Sequence, residues 1–414
     1  MKLNSDEEAL LAGQSGWVRQ QAIKQQVEVG EFFGAADLVP VSQAHIMADT
    51  EALGAAGVEY LEKLAGEPEE ERKVVIPTIT DPRGADFDAY QRIKQDEAYV
   101  ALERRTVDAF RALGVMMTDT CINYQTVMPP VLGEHMAFGD TGVVIYSNSV
   151  LGARTNYEGG PSALAAALTG RTPRYGFHLD EHRRGTKRFV ISDRPRDWTD
   201  WGALGGLVGR QMDSYFDVPV IEGNLGLPGS DDLKHFGAAL ASYGSTALFH
   251  MVGVTPEARD LGDVFDGTPP DPVSFGQGDL DTFFADYAKD VDGVDVVVFA
   301  APQLSVVELE KVAGLLEGRR VSDDISLLVA TNPENKFAAD RMGFTEAIEG
   351  AGAVLLEGVC FYQMHARELG EANGWTRLMT NSAKLTNIIG GYGYKPRLAT
   401  MEACVEAACT GRVG

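Results

Sequence analysis

Residues 143–170 read VVIYSNSVLGARTNYEGGPSALAAALTG. The apolar, β-branched opening predicts a strand. It runs into a polar loop carrying Arg154, Thr155, Asn156 and Glu158. Gly159 and Gly160 follow, then Pro161 at a helix start with Ser162 beside it, and Gly170 is the natural stop. A glycine pair ahead of a helix leaves free N–H groups at the positive end of the helix dipole, which suits a carboxylate or phosphate. Arg154 would add a bidentate clamp. A tight turn with a surface arginine is the alternative reading of the same residues.

The order strand, polar loop, helix recurs on both sides of this stretch. Ser5 and Glu8 have the spacing of a capping box, and a second helix is expected from Trp17 to Phe33. Leu38–Val41 predicts a short buried strand ending in the loop Ser42-Gln43-Ala44-His45. Asp49–Leu64 is helical, and Val74–Ile76 predicts a strand leading into a loop with Thr78 and Thr80. Glu97–Leu113 is a long helix. Downstream, strands are expected near 188–191, 247–250, 294–300, 325–330 and 354–356. Helices are expected at Asp232–Ser242, Ser305–Leu316 and Pro333–Met342, and from Thr400 onward. This alternation implies an α/β architecture with mainly parallel sheets. Three regions follow, 1–171, 172–319 and 320–414. In such sheets ligands bind beyond the carboxyl ends of the strands, where these polar loops lie.

Bulk composition removes several function classes. The chain has 414 residues and a formal net charge of -24, a field that repels a nucleic-acid backbone. No apolar run reaches the ~18 residues of a membrane span, and the N-terminus has no signal-peptide core. Four cysteines (Cys121, Cys360, Cys404 and Cys409) without a secretory signal point to reduced thiols and a cytoplasmic location. No CxxC is present, so a metal site would draw on distant positions.

Other candidates carry weaker signals. Thr380-Asn381-Ser382-Ala383-Lys384 gathers two hydroxyls, an amide and an ammonium. A lysine there can orient a carboxylate or activate a hydroxyl, or it can simply follow an N-cap. His45 could exchange a proton. His178-Leu179-Asp180-Glu181-His182 lacks the spacing of a zinc helix. Cys404 and Cys409 lie on different faces of the last helix. Gly202–Arg210 lacks the Lys-Ser/Thr of a phosphate loop and reads as a loop.

Taken together, several segments resemble the aconitase X family over nearly the whole chain. They are GEFFGAADLVPVSQAHI (30–46), VIPTITDP (75–82), TDTC (118–121) and GEHMAF (133–138), followed by SNSVLGARTNYEGGPSALAAALTGRTP (147–173), DDLKHFGAALASYGSTALFHMVGVTPEA (231–258) and LMTNSAKL (378–385). The resemblance implies a multi-domain aconitase-like core that lacks the swivelling domain, which would then be a separate small subunit. It also implies a hydro-lyase acting on a small hydroxy carboxylic acid. Ser382, Lys384 and His45 are carried over as catalytic candidates. Arg154, Thr155, Asn156, Glu158, Gly159, Gly160, Ser162, Thr78, Thr80 and Asn381 are carried over as substrate-binding candidates, and Cys121 and Cys360 as metal ligands.

Three positions depart from the family's pattern. Ala301 stands where a third cluster cysteine is usual, Ile122-Asn123-Tyr124 follows Cys121, and Tyr157 replaces an arginine. Two thiolates anchor an iron–sulfur cluster poorly, so a single metal ion or none is expected. A cluster-free or single-metal dehydratase or isomerase on the same fold, and a non-catalytic scaffold subunit, are the rival readings.

Overall fold

Strand-forming runs in this chain are short, and they assemble into four small sheets. The computed structural model describes residues 1–288 and 292–413, so position 414 of the last region lies outside the described residues. β1 (Leu38–Pro40) pairs antiparallel with β5 (Arg171–Pro173). β2 (Ala44–Ile46) is the centre of a parallel sheet between β3 (Thr78–Thr80) and β4 (Ala137–Phe138), with Ala44 opposite both Thr78 and Ala137.

A second parallel sheet, ordered β8-β7-β6-β9, uses β6 (Lys187–Ile191), β7 (Pro219–Gly223), β8 (His250–Met251) and β9 (Val273–Phe275). The largest sheet is also parallel, ordered β12-β11-β10-β13-β14. It holds β10 (Val296–Leu304), β11 (Ser326–Thr331), β12 (Val354–Glu357), β13 (Arg377–Thr380) and β14 (Lys395–Leu398). β10 is buried along its whole length, which accounts for its apolar run from 296 to 302. It falls within 172–319 but hydrogen-bonds to β11 and β13, so this sheet draws on both later regions. The α/β architecture with mainly parallel sheets is the one expected. No helix among the described residues is long and apolar enough to cross a membrane.

Local differences from the sequence reading have physical causes. Residues 141–149 form a helix, not a strand: the Asp140 carboxylate caps it by accepting from Gly142 and Val143 N–H. Gly142 through Ser149 are all buried, so the helix shows no amphipathic period and its Val-Val-Ile-Tyr run imitates a strand. Of Gly202–Arg210, residues 202–209 are helical, and Arg210 is the C-cap of the helix Trp198–Gly209. Its glycines permit close packing on the helix Ser230–Gly244, since a Cβ on Gly205 would lie 2.2 Å from the Phe236 carbonyl oxygen. The strand expected at 74–76 forms instead at 78–80. The capping box uses Asn4 and Glu7. His45 sits inside β2, not in a loop.

Candidate active site

The carboxyl ends of two parallel sheets meet, as open α/β sheets lead one to expect. From the first come His45 within β2, Asp81 directly after β3 and Asp140 two residues after β4. From the last come Cys360 beyond β12 and Asn381–Lys384 beyond β13, with Ala301 inside β10. Lys384 Nζ lies 3.7 Å from Asp140 Oδ1, and both side chains are buried. The same ammonium stands 5.5 Å from the centroid of the Tyr362 ring. Asp81 Oδ1 lies 3.8 Å from His45 Nε2. Gln363 Nε2 donates to Asp81 at 2.7 Å and to Asp49 at 3.2 Å. Cys121 and Cys360 are neighbours here, and Cys360 is the largest influence on the Cys121 thiol.

Buried polar atoms that lack a hydrogen-bond partner among the described residues concentrate here. They include His45 Nδ1, Asp81 Oδ1, Asp140 Oδ1 and Asn381 Nδ2. Leaving such atoms unpaired costs ~1–3 kcal/mol each, a cost that a polar ligand filling the space would recover. His45 Nε2 is 2.8 Å from the Thr120 carbonyl oxygen, which can only accept. The ring proton therefore belongs on Nε2, and Nδ1 carries a free lone pair.

Burial lowers the pKa of His45, favouring neutral imidazole. Burial and then the Asp140 charge push Asp81 well above the carboxylate range, so it holds its proton. Burial alone would lower Lys384, but the Asp140 carboxylate outweighs it, and the ammonium is held charged. The Cys360 contact and then burial raise the Cys121 thiol.

Of the residues expected from sequence, His45, Ser382, Lys384, Asn381, Cys121 and Cys360 are brought to this cluster. Ser382 Oγ caps the helix Ala383–Ile389 and donates to the Ala301 carbonyl, so its oxygen is already engaged. Thr80 Oγ1 bonds Asp119 at 3.2 Å, and Thr78 Oγ1 donates to the Ile76 carbonyl.

The loop after residue 150 does not supply an anion clamp to the cluster. Arg154 pairs with Asp180 and donates to the His178 carbonyl. Thr155 and Asn156 hold the loop's own backbone, the latter through Tyr175 and Phe177. Glu158 accepts from Thr172 and is buried, which lifts its pKa to about 7. Gly160 is needed for close approach, since a Cβ there would lie 2.8 Å from the Met47 carbonyl oxygen. Gly159 carries the left-handed φ of 60°, and its carbonyl comes within 2.5 Å of a Cβ placed on Gly139, beside Asp140. Ser162 is half-buried on the first turn of the helix Pro161–Thr169.

Sequence reading missed Asp81, Asp140, Tyr362 and Gln363. Asp81 had one available signal, its place at a strand's carboxyl end. Asp140 was hidden by the misread helix that it caps.

The donor set does not fit a cluster anchored by three thiolates. Cys121 and Cys360 supply two sulfurs, and fully buried Ala301 offers no donor side chain. Among the described residues no three His, Cys, Asp or Glu side chains are grouped to hold a metal ion.

Comparison with known proteins bears on the family and the fold. Family models for the aconitase X first, second and third domains match residues 1–181, 185–285 and 294–410. The chain is 35% identical to the phosphomevalonate dehydratase large subunit of Methanothermobacter thermautotrophicus, covering 94% of each chain. It is 31% identical to the cis-3-hydroxy-L-proline dehydratase of Pseudomonas aeruginosa, covering 99% of this chain and 70% of that one. The crystal structure of Thermococcus kodakaraensis aconitase X in its holo-form superposes with a TM-score of 0.88 at 30% identity, over 99% of this chain and 100% of that one. The three domain models in sequence order, with relatives aligned over 94% or more of this chain, place the chain in the aconitase X family of dehydratases.

Proposed function

We propose that the cluster around Lys384 removes water from a small hydroxy carboxylic acid, using this chain's own acid–base groups. The observation that carries the reading is the convergence of unpaired buried atoms, His45 Nδ1, Asp81 Oδ1 and Asp140 Oδ1, around one buried ammonium. In this scheme the Lys384 ammonium meets the substrate carboxylate and stabilises the negative charge that develops there. His45 Nδ1, neutral and lone-paired, takes the proton from the carbon next to that carboxylate. The electron pair left behind forms the carbon–carbon double bond. The protonated Asp81 carboxyl delivers its proton to the departing hydroxyl, which leaves as water. Asp140 holds Lys384 in place, and Ser382 fixes the loop that carries it.

A separate small subunit with a swivelling domain closes the site, in keeping with relatives named as large subunits. No step uses a cluster, because Ala301 leaves the third corner without a donor. The test is an assay of the chain with its small subunit on a panel that includes the substrates for which its relatives are named, following water loss by proton NMR. Lys384→Met is expected to lower turnover about 10²–10⁴-fold in a folded chain. Turnover near the parent's would move the chemistry elsewhere.

A further inference from the structure

Gln303 is a carboxamide next to the carboxyl end of β10, a strand buried along its whole length, and it has no exposed surface. A polar group there is costly unless all its hydrogen bonds are made, and they are made. Its Oε1 accepts from Cys121 N–H at 3.2 Å. Its Nε2 faces the carbonyl oxygens of Asp119, Val359 and Thr331 at 3.0, 3.2 and 3.4 Å. Exchanging the amide's oxygen and nitrogen would set an oxygen against three carbonyls, so only one orientation is allowed.

The backbone of Gln303 is held as firmly. Its N–H donates to Cys121 Sγ at 3.5 Å. Its carbonyl faces Lys234 Nζ at 3.4 Å. Lys234 is itself buried and anchored by Asp231 at 2.9 Å and by Glu308. Asp119 lies two residues before Cys121, and Val359 directly precedes Cys360. One side chain therefore grips both thiol-bearing segments, which come from distant parts of the chain.

We infer that Gln303 is a positioning residue for the dehydratase site: its carboxamide clamps the Cys121 and Cys360 segments together and so sets the thiol pair that faces Lys384. The inference rests on the reading of the Lys384 cluster as the reacting site. The geometric part, the clamp on the thiol pair, can be measured apart from that reading.

The test uses the full chain with its small subunit. Gln303→Met keeps length and burial but deletes every side-chain hydrogen bond, whereas Gln303→His retains one donor and one acceptor. The Met variant is expected to fold, to lose about 10- to 100-fold in kcat, and to keep KM within about threefold. Its S–H stretching band, read by Raman difference against a Cys360→Ala chain, is expected to shift, since Cys121 Sγ loses the fixed backbone that approaches it. The His variant is expected to recover part of both signals. If Gln303→Met does not fold, Gln303→Asn takes its place with the same two expectations. A folded variant with the parent's kcat and the parent's S–H band overturns the clamp. If the parent turns over no hydroxy acid, the reading of the reaction falls, while the S–H band still decides the clamp.

Discussion

Two charged residues from one loop separate what spacing suggests from what packing allows. Arg154 looks like an anion clamp in sequence, but its guanidinium is committed to Asp180 and a backbone carbonyl. Arg154→Ala is therefore expected to leave kcat/KM within about threefold of the parent, or about 0.7 kcal/mol. A drop of about a hundredfold in steady-state kinetics would put it back in the site. Glu158 is fully buried, with Thr172 as its side-chain partner. Its folded-state pKa is raised from 4.5 to about 7, so the protonated form is the one the fold favours. Its stabilisation is full below about pH 4.5 and is lost as pH rises through about 7. The ionised form then costs on the order of 3 kcal/mol. Glu158→Gln keeps the acceptor for Thr172 without the charge. It is expected to raise Tm at pH 8, with the gain shrinking towards zero below about pH 4.5. An equal change in Tm at both pH values would show that the side chain does not titrate in the fold.

At the scale of the element, the two misread stretches share a cause. Helix 141–149 is buried on all sides and helix 198–209 is rich in glycine, so neither shows the one-sided period by which a surface helix is recognised. What makes the second a helix is its neighbour. Gly205 touches the backbone of the helix Ser230–Gly244, and backbone cannot swing aside as a side chain can. Helix propensity favours alanine over glycine by about 1 kcal/mol. Even so, Gly205→Ala is expected to destabilise the chain by about 1–3 kcal/mol, measured by urea unfolding, because the overpacking term wins. A stabilised variant would mean that the two helices can separate at little cost. Elements with clear caps were legible: Glu97–Leu113 and Pro333–Met342 form with the limits expected, the first capped by Asp96 and Gly114, the second by Asn332 and Gly343.

Across the whole molecule, Cys121, Ala301 and Cys360 come from three distant parts of the chain, and only their assembly poses the cofactor question. With two sulfurs and one methyl group facing the site, anaerobically purified protein is expected to lack a stoichiometric four-iron cluster. Iron and acid-labile sulfide analysis checks this, and about four of each per chain would refute it. Ala301→Cys is the companion experiment. A gain of cluster absorbance after reconstitution would identify residue 301 as the vacated ligand position.

The sequence by itself determined the alternation of elements, the α/β class, the family, and the residues His45, Ser382, Lys384, Cys121 and Cys360 as candidates. It could do so because strand runs, caps and motifs are local properties carried by neighbouring residues. Tertiary structure decided which of those candidates share a space. It paired Arg154 with Asp180, engaged the Ser382 hydroxyl in a helix cap, and added Asp81, Asp140 and Gln363. The reason is physical: an ion pair, a desolvated carboxyl or an unpaired nitrogen is defined by groups tens or hundreds of residues away. Spacing along one chain carries no record of how two sheets meet.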